Sequence, residues 1–364
     1  MIITLNEHAK NKQDGQVLLK EVLSNCPILR EKYNPPAIFG KNGHLQTAVY
    51  GVLGHSSLKR TFNQRHQVQL PDKTTVTFDC FEPVKPHPSG RDYTIALCPG
   101  ICNSSESNYI RTCVHNAQEA GYRCAVLNHL GALANVPLTT SRIFSYGSTD
   151  ELEVMVWKML EFMGANLTTN FLHTVPADKR DRFLVGLSVC QGYDAEANVS
   201  LLAEWESGRR VYNYIITENV KRLLRRNYDM AVVPHVQSKL IDEQRLFATT
   251  SILGVDEAYS RRVQGYDSVT SMYKSCSSIH RIPDIQIPMV FLNSADDPLF
   301  PEKAYSPVRQ LCTEHEKHAF VELKHGGHLG FLEQQGIMIV SKTWLDRFIV
   351  ELANAAVAAS DDTE

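Results

Sequence analysis

The chain has 364 residues, 43% of them hydrophobic, with a formal net charge of −3 and a pI near 6.5. That is enough chain for a large domain with a full core, and the charge argues against nucleic acid as the main partner. Nine cysteines, an odd number without C-x-x-C pairs or clustered histidines, read as reduced thiols in a reducing compartment, with no zinc or other metal site. Met1 to Gly15 carries Glu7, Lys10, Lys12 and Asp14, and no later window offers 18 uncharged apolar residues. The expectation is an intracellular chain, cytoplasmic or membrane-associated, without signal peptide or transmembrane helix.

Residues 16–26 place Leu18, Leu19, Val22, Leu23 and Cys26 at helical spacing, and Pro27 stops the run. Gly40 to Thr47 reads as a polar turn before Ala48-Val49-Tyr50. His66–Leu70 and Thr74–Phe81 alternate around Pro71-Asp72-Lys73, a hairpin. Pro83 to Gly90 links this entry region, 1–90, to the main sheet. Thereafter strands and helices alternate: strand Thr94–Cys98, helix Tyr109–Ala120 closed by Gly121, strand Cys124–Leu127. A helix from Ser148 follows, with Leu152, Met155, Val156, Met159, Leu160 and Met163 inward, then strand Phe183–Val185. After the strands Pro288–Leu292 and Ala319–Leu323 comes an amphipathic helix bearing Trp344, Phe348, Ile349 and Leu352. This order predicts an α/β chain with a mostly parallel, doubly wound sheet over 91–350 and a tail, 351–364. Residues 194–280 interrupt the rhythm with helical spacing and read as a cap. Its basic run, Lys221-Arg222 and Arg225-Arg226, has two readings, contact with an anionic lipid head group or a solvated helix face, and the second is the commoner.

Two strand ends carry chemistry. Asn293-Ser294-Ala295-Asp296-Asp297-Pro298 puts carboxylates at the rim where open α/β sheets hold ligands, and Lys324-His325-Gly326-Gly327-His328 puts imidazoles after the next strand. The order Ser…Asp…His assigns Asp297 to orient the imidazole and His328 as general base, with Asp296 and His325 in support. Gly186-Leu187-Ser188 is the place for the nucleophile. The turn holding Gly100, Ile101 and Cys102 offers amides to an oxyanion. His173 and Asp178 also have the spacing of a catalytic pair, but they read as a chance coincidence in a loop.

Several segments together resemble the branch of the α/β-hydrolases that contains the monoacylglycerol lipases and medium-chain acyl-ester hydrolases. They are Gly43-His44-Leu45-Gln46-Thr47, Thr77-Phe78-Asp79, Pro99-Gly100-Ile101, Gly121 to Ala132, Ser188 to Tyr193, Ala295 to Leu299 and His325 to Phe331. The resemblance implies an α/β-hydrolase fold with a helical cap. It further implies hydrolysis of monoacylglycerols or similar lipid esters through an acyl-enzyme, with Asp297 and His328 in the relay and no cofactor. The partner is then a lipid ester. Apart from the resemblance, apolar side chains of the cap or entry region leave room for peripheral membrane contact, though no segment encodes it. Some relatives carry an N-terminal membrane anchor; this chain shows none.

One departure stands out. That family has a Gly-x-Ser-x-Gly-Gly-Asn elbow, a helix and a further strand, whereas here Val185-Gly186 runs straight into Leu187 to Tyr193. Neighbouring parallel strands need a crossover of about a dozen residues, and none separates Phe183–Val185 from Leu187–Cys190. The stretch reads as two segments joined across a deletion. Ser188 can act, Cys190 can act in its stead, or neither does, which would leave a catalytically impaired ligand-binding relative.

Overall fold

The computed structural model describes residues 1–6, 19–53, 61–159, 165–205, 208–335 and 338–361. Its eight main strands are β1 (Ile2–Leu5), β2 (Gln64–Gln69), β3 (Thr75–Phe81), β4 (Thr94–Leu97), β5 (Arg123–Asn128), β6 (Gly186–Val189), β7 (Met289–Ser294) and β8 (His318–Leu323). They form two four-stranded sheets, ordered β2-β3-β5-β4 and β1-β8-β7-β6. The pairs β4–β5, β6–β7 and β7–β8 are parallel, and the others antiparallel.

The β2–β3 hairpin turns where Asp72 and Lys73 allow it. The Asp72 carboxylate accepts from the Thr74 amide at 2.9 Å, and Lys73 adopts φ 70°, the local chemistry of a tight turn. Between β4 and β5, helix α3 (Asn108–Ala120) ends on Gly121 at φ 95°. A Cβ at Gly121 would also approach the His87 backbone to 2.6 Å, so glycine is required twice over.

Three readings change on contact with the structure. Phe183–Val185 is not a strand. It is an unpaired lead into β6, with Phe183 and Val185 buried. A three-residue apolar run reports burial and cannot report a ladder partner. Second, the polar turn before Ala48 is the start of helix α2 (Gly43–Leu53), whose Leu45 amide is capped by the Asn42 side chain at 3.0 Å. Third, residues 1–90 are not set apart: β3 lies in one sheet against β5, and β1 forms the far edge of the other against β8. The last helix likewise runs unbroken over Trp344–Asp361, through the expected boundary at 350. In the N-terminal helix, α1 (Leu19–Ser24), Leu18 lies outside the described residues, as do Leu160 and Met163 of the helix from Ser148 and 362–364 of the expected tail.

Among the described residues no strand pairs β4 to β6. Side chains join the two sheets instead. On one face Phe78, Leu127, Met155 of helix α4 (Asp150–Met159), Phe171 of helix α5 (Ala165–Thr174), Phe291 and Phe320 form a single core spanning both. On the other, the last helix sets Trp344, Phe348 and Leu352 against β6–β8, and Val350 and Val357 against the α3 side. Leu184, in the unpaired lead, packs into both of those clusters. Phe348 is fully buried, and its replacement by alanine would cost about 3–5 kcal/mol.

The segment between β6 and β7 is helical, as expected for a cap. Helix α6 (Ala195–Leu202) is capped by the Asp194 carboxylate. Helix α7 (Arg209–Arg226) buries Asn213, Thr217, Val220 and Leu224, one face at spacings of three and four. A π-helical turn over Asp256–Ser260 buries the Asp256 carboxyl, which accepts from the Tyr273 hydroxyl at 2.8 Å.

Candidate functional site

Asp297 and His328 meet at the rim. The Asp297 Oδ1 accepts from the amides of Leu299 and Phe300 at 2.8 and 3.1 Å, which fixes the carboxylate. Its Oδ2 lies 3.0 Å from His328 Nδ1. Nδ1 therefore faces the acid, and Nε2 is the nitrogen left for proton transfer. The His328 amide donates to Thr47 Oγ1 at 2.8 Å, and the Phe300 ring lies 5.6 Å from the imidazole.

Asp296 and His325 form a second pair at 3.2 Å. Asp296 also accepts from Ser294 Oγ at 3.0 Å and from the Gly327 amide at 2.9 Å, so it braces the loop that presents His328. Gly327 sits at φ 58°. A Cβ on Gly326 would strike the Phe331 ring at 2.5 Å. The double glycine is what lets the chain fold back here.

Ser188 and Cys190 part company. Ser188 lies within β6, opposite Phe291 in the ladder, and is 0% exposed. Its hydroxyl is 3.1 Å from the Tyr193 hydroxyl and 3.4 Å from Gln191 Oε1. No hydrogen bond joins it to His328 among the described residues. Cys190, just past the strand, has φ 47°. That left-handed turn breaks the strand's alternation, and the side chain packs with Val290, Leu292 and Phe331. The Cys190 sulfur, an Asp297 oxygen and a His328 nitrogen lie within 4.8 Å of one another. Burial, and then the nearby Asp297 carboxylate, push the thiol well above its usual range, so it is held protonated and weakly nucleophilic. The absence of a metal at this cluster remains an expectation from the sequence.

The turn after β4 is also built. The Gly100 amide donates to Tyr109 Oη at 2.7 Å, Ile101 is exposed, and Cys102 adopts φ 62°. His129 Nε2 lies 2.8 Å from the Pro99 carbonyl. Burial lowers the pKa of that imidazole, so the neutral ring donates from Nε2 and pins the turn.

Sequence reasoning missed the partners that reach the site from afar. Tyr212 of α7 meets His44 Nδ1 at 3.0 Å, with the rings stacked at 5.7 Å. The Tyr212 phenol is raised by burial and then by the Asp297 charge. Thr47 and Tyr109 are likewise invisible as site residues, because each acts across a fold contact and no local spacing marks it.

Strand order, crossover helices, a helical insertion and an acid–imidazole pair at two adjacent strand ends define an α/β-hydrolase scaffold. No family model matches the chain. It is 39% identical over 371 residues to abhydrolase domain-containing protein 2 of Drosophila melanogaster, covering 97% of this chain and 93% of that protein. It is 40% identical over 348 residues to monoacylglycerol lipase ABHD2 of Danio rerio, covering 92% and 80%. The human monoacylglycerol lipase ABHD2 is 37% identical over 354 residues, covering 93% and 83%. The chain belongs to the abhydrolase domain-containing protein 2 family. Among solved structures, the α/β hydrolase GrgF from Penicillium superposes with a TM-score of 0.46 at 13% identity, covering 82% of this chain and 98% of that one.

Proposed function

We propose that the protein hydrolyses carboxylic esters of the monoacylglycerol class. The Asp297–His328 hydrogen bond carries this reading: a carboxylate fixed by two amides orients an imidazole whose Nε2 is left for proton transfer. In the reaction His328 takes the proton of the attacking nucleophile, and the ester carbonyl oxygen becomes an oxyanion facing the amides of Ile101 and Cys102, since the Gly100 amide is held by Tyr109 Oη. Collapse expels the glycerol oxygen, which takes the proton back from His328. Water, activated by the same imidazole, then cleaves the acyl-enzyme. The names of the relatives support a lipid ester as substrate, and peripheral membrane contact follows from where such esters reside. No helix among the described residues is long and apolar enough to cross a membrane.

The nucleophile is where two readings divide. Cys190 is gathered with the relay, whereas Ser188 is bonded to Tyr193 and Gln191. A second reading, a ligand-binding relative without the chemistry, is favoured by the protonated Cys190 thiol and by the missing ladder between β4 and β6. We read that gap as the place of the deleted elbow and helix, because Val185-Gly186 runs straight into β6. Intact protein treated with a fluorophosphonate ester, then digested and mapped by mass spectrometry, separates the two. Labelling lost in Ser188→Ala, or monoacylglycerol hydrolysis lost in Cys190→Ala, names the nucleophile. Folded protein that neither labels nor hydrolyses leaves the binding reading alone.

A further inference from the structure

Helix α7 is amphipathic in an unusual way. Its inner face, Asn213, Thr217, Val220 and Leu224, is buried. Its outer face begins apolar, with Val211 62% exposed, Tyr214 50% and Ile215 48%. These sit at spacings of three and four and so share one stripe. Trp205, just ahead of the helix, is 77% exposed, and the Arg210 guanidinium lies 4.3 Å over its ring. Towards its C-terminal end the helix turns basic. Its exposed basic residues are Arg210, Arg222, Arg225 and Arg226, whereas Arg209 and Lys221 are buried, in a chain whose net charge is negative.

We infer that this outer face of α7, with Trp205, docks on the surface of an anionic lipid bilayer. The choice of partner rests on the lipid ester reading above; the physical argument for docking does not. Trp and Tyr favour the bilayer interface because each has an apolar body and a polar tip. Arginines at the same level meet lipid phosphates. Basic charge on a helix with an exposed apolar stripe complements a leaflet rich in anionic lipid. A second copy of the chain fits less well, because these four side chains fall far short of the roughly 800 Å² per partner that a stable protein interface buries. The stripe also borders the site. Val211 precedes Tyr212, which holds His44 at 3.0 Å, and Leu45 next to His44 is exposed. Docking there brings the Tyr212–His44 contact, and the Asp297 pair behind it, to the lipid surface.

Sedimentation of the full chain with sucrose-loaded phosphatidylcholine vesicles containing about one-third phosphatidylserine tests the inference. The protein should pellet with these vesicles, less with pure phosphatidylcholine, and less as salt rises. In the double variant Val211→Asp/Ile215→Asp, binding should fall about tenfold or more, with the far-ultraviolet circular dichroism unchanged. Trp205 emission should shift to the blue on vesicles, and the shift should vanish in Trp205→Phe. If the aspartates unfold the chain, Val211→Ser/Ile215→Ser and the Trp205 shift decide the matter. No pelleting of the wild type, an unchanged partition in the folded double variant, or a dimer in sedimentation velocity that the variant abolishes would overturn it. Vesicle binding by a protein that neither labels nor hydrolyses esters leaves the docking surface standing and removes only the catalytic reading.

Discussion

Gly43 and Asp296 touch backbone to backbone: a Cβ on the glycine would lie 1.7 Å from the Asp296 carbonyl oxygen. The start of α2 thus rests on the loop that follows β7, and Asp296 in turn braces Gly327. Gly43→Ala must push one of them away. We expect a loss of about 1–3 kcal/mol, the usual cost of forcing extra volume into a packed contact. For a domain of this size that is a fall of several degrees in Tm by differential scanning calorimetry. Ester hydrolysis should fall further than the loss of folded protein explains, because the displaced loop carries Asp297 and, through Asp296, braces the loop that presents His328.

Asp297→Asn keeps the shape of the acid but not its charge. The Leu299 and Phe300 amides can still be accepted by the side-chain carbonyl, so stability should change little. The amide nitrogen would then face His328 Nδ1 and favour the wrong tautomer. If the relay operates, kcat should drop by about 10³–10⁴-fold, the scale known for such a change in a serine protease triad, while KM changes little. An equal loss of folded protein and activity would mean that Asp297 acts only in the fold.

Ser188 offers a test in which structure and catalysis give different readouts. Its hydroxyl partners the buried Tyr193 phenol. Ser188→Ala removes that partner and should cost about 1–2 kcal/mol by chemical denaturation. Tyr193→Phe removes the other half and should leave hydrolysis intact. If Ser188→Ala shows only the stability loss and retains turnover, the serine is a strand residue and nothing more.

The Asp256 carboxyl lies among Tyr146, Ser260 and Tyr273, and burial raises its pKa from 3.8 to about 6. A carboxyl raised on folding favours the protonated native state. Its contribution is therefore fully present below the unfolded pKa and is lost as pH rises through about 6. Asp256→Asn, neutral at every pH, should match wild type near pH ~4 and exceed it by up to about 3 kcal/mol near pH ~8. Thermal melts of both proteins across that range would show the gap widening with pH. A gap that is constant or narrows with pH would refute the assignment to Asp256.

Much of the architecture was legible in the sequence for physical reasons. The β2–β3 hairpin announces itself by alternation around Asp72-Lys73, and α3 by its glycine stop at Gly121. Asp297 and His328 stand out because each follows a strongly apolar run, and the structure brings them together. What depends on distant partners was not legible. The four residues of β1 have no pattern of their own, and only β8 makes them a strand. Phe183–Val185 looks like a strand because Phe183 and Val185 are buried, yet among the described residues no strand pairs with it. Ser188 and Cys190 are two residues apart and read alike in sequence. The left-handed turn at Cys190 is what sends one towards Tyr193 and the other towards Asp297.

Among the described residues no ladder joins β4 to β6, and this divides the site as well as the sheet. The turn at Gly100, Ile101 and Cys102 follows β4 in one half, while Cys190, Asp297 and His328 follow β6, β7 and β8 in the other. Backbone hydrogen bonds fix distances within each half. Between the halves, alignment depends on side-chain packing, in the core that spans both sheets on one face and at Leu184 and along the last helix on the other. Packing of that kind tolerates sliding that a ladder forbids. The spacing between the imidazole and the Gly100 turn is therefore the softest dimension of the site, and repacking Leu184 would alter it without touching either group.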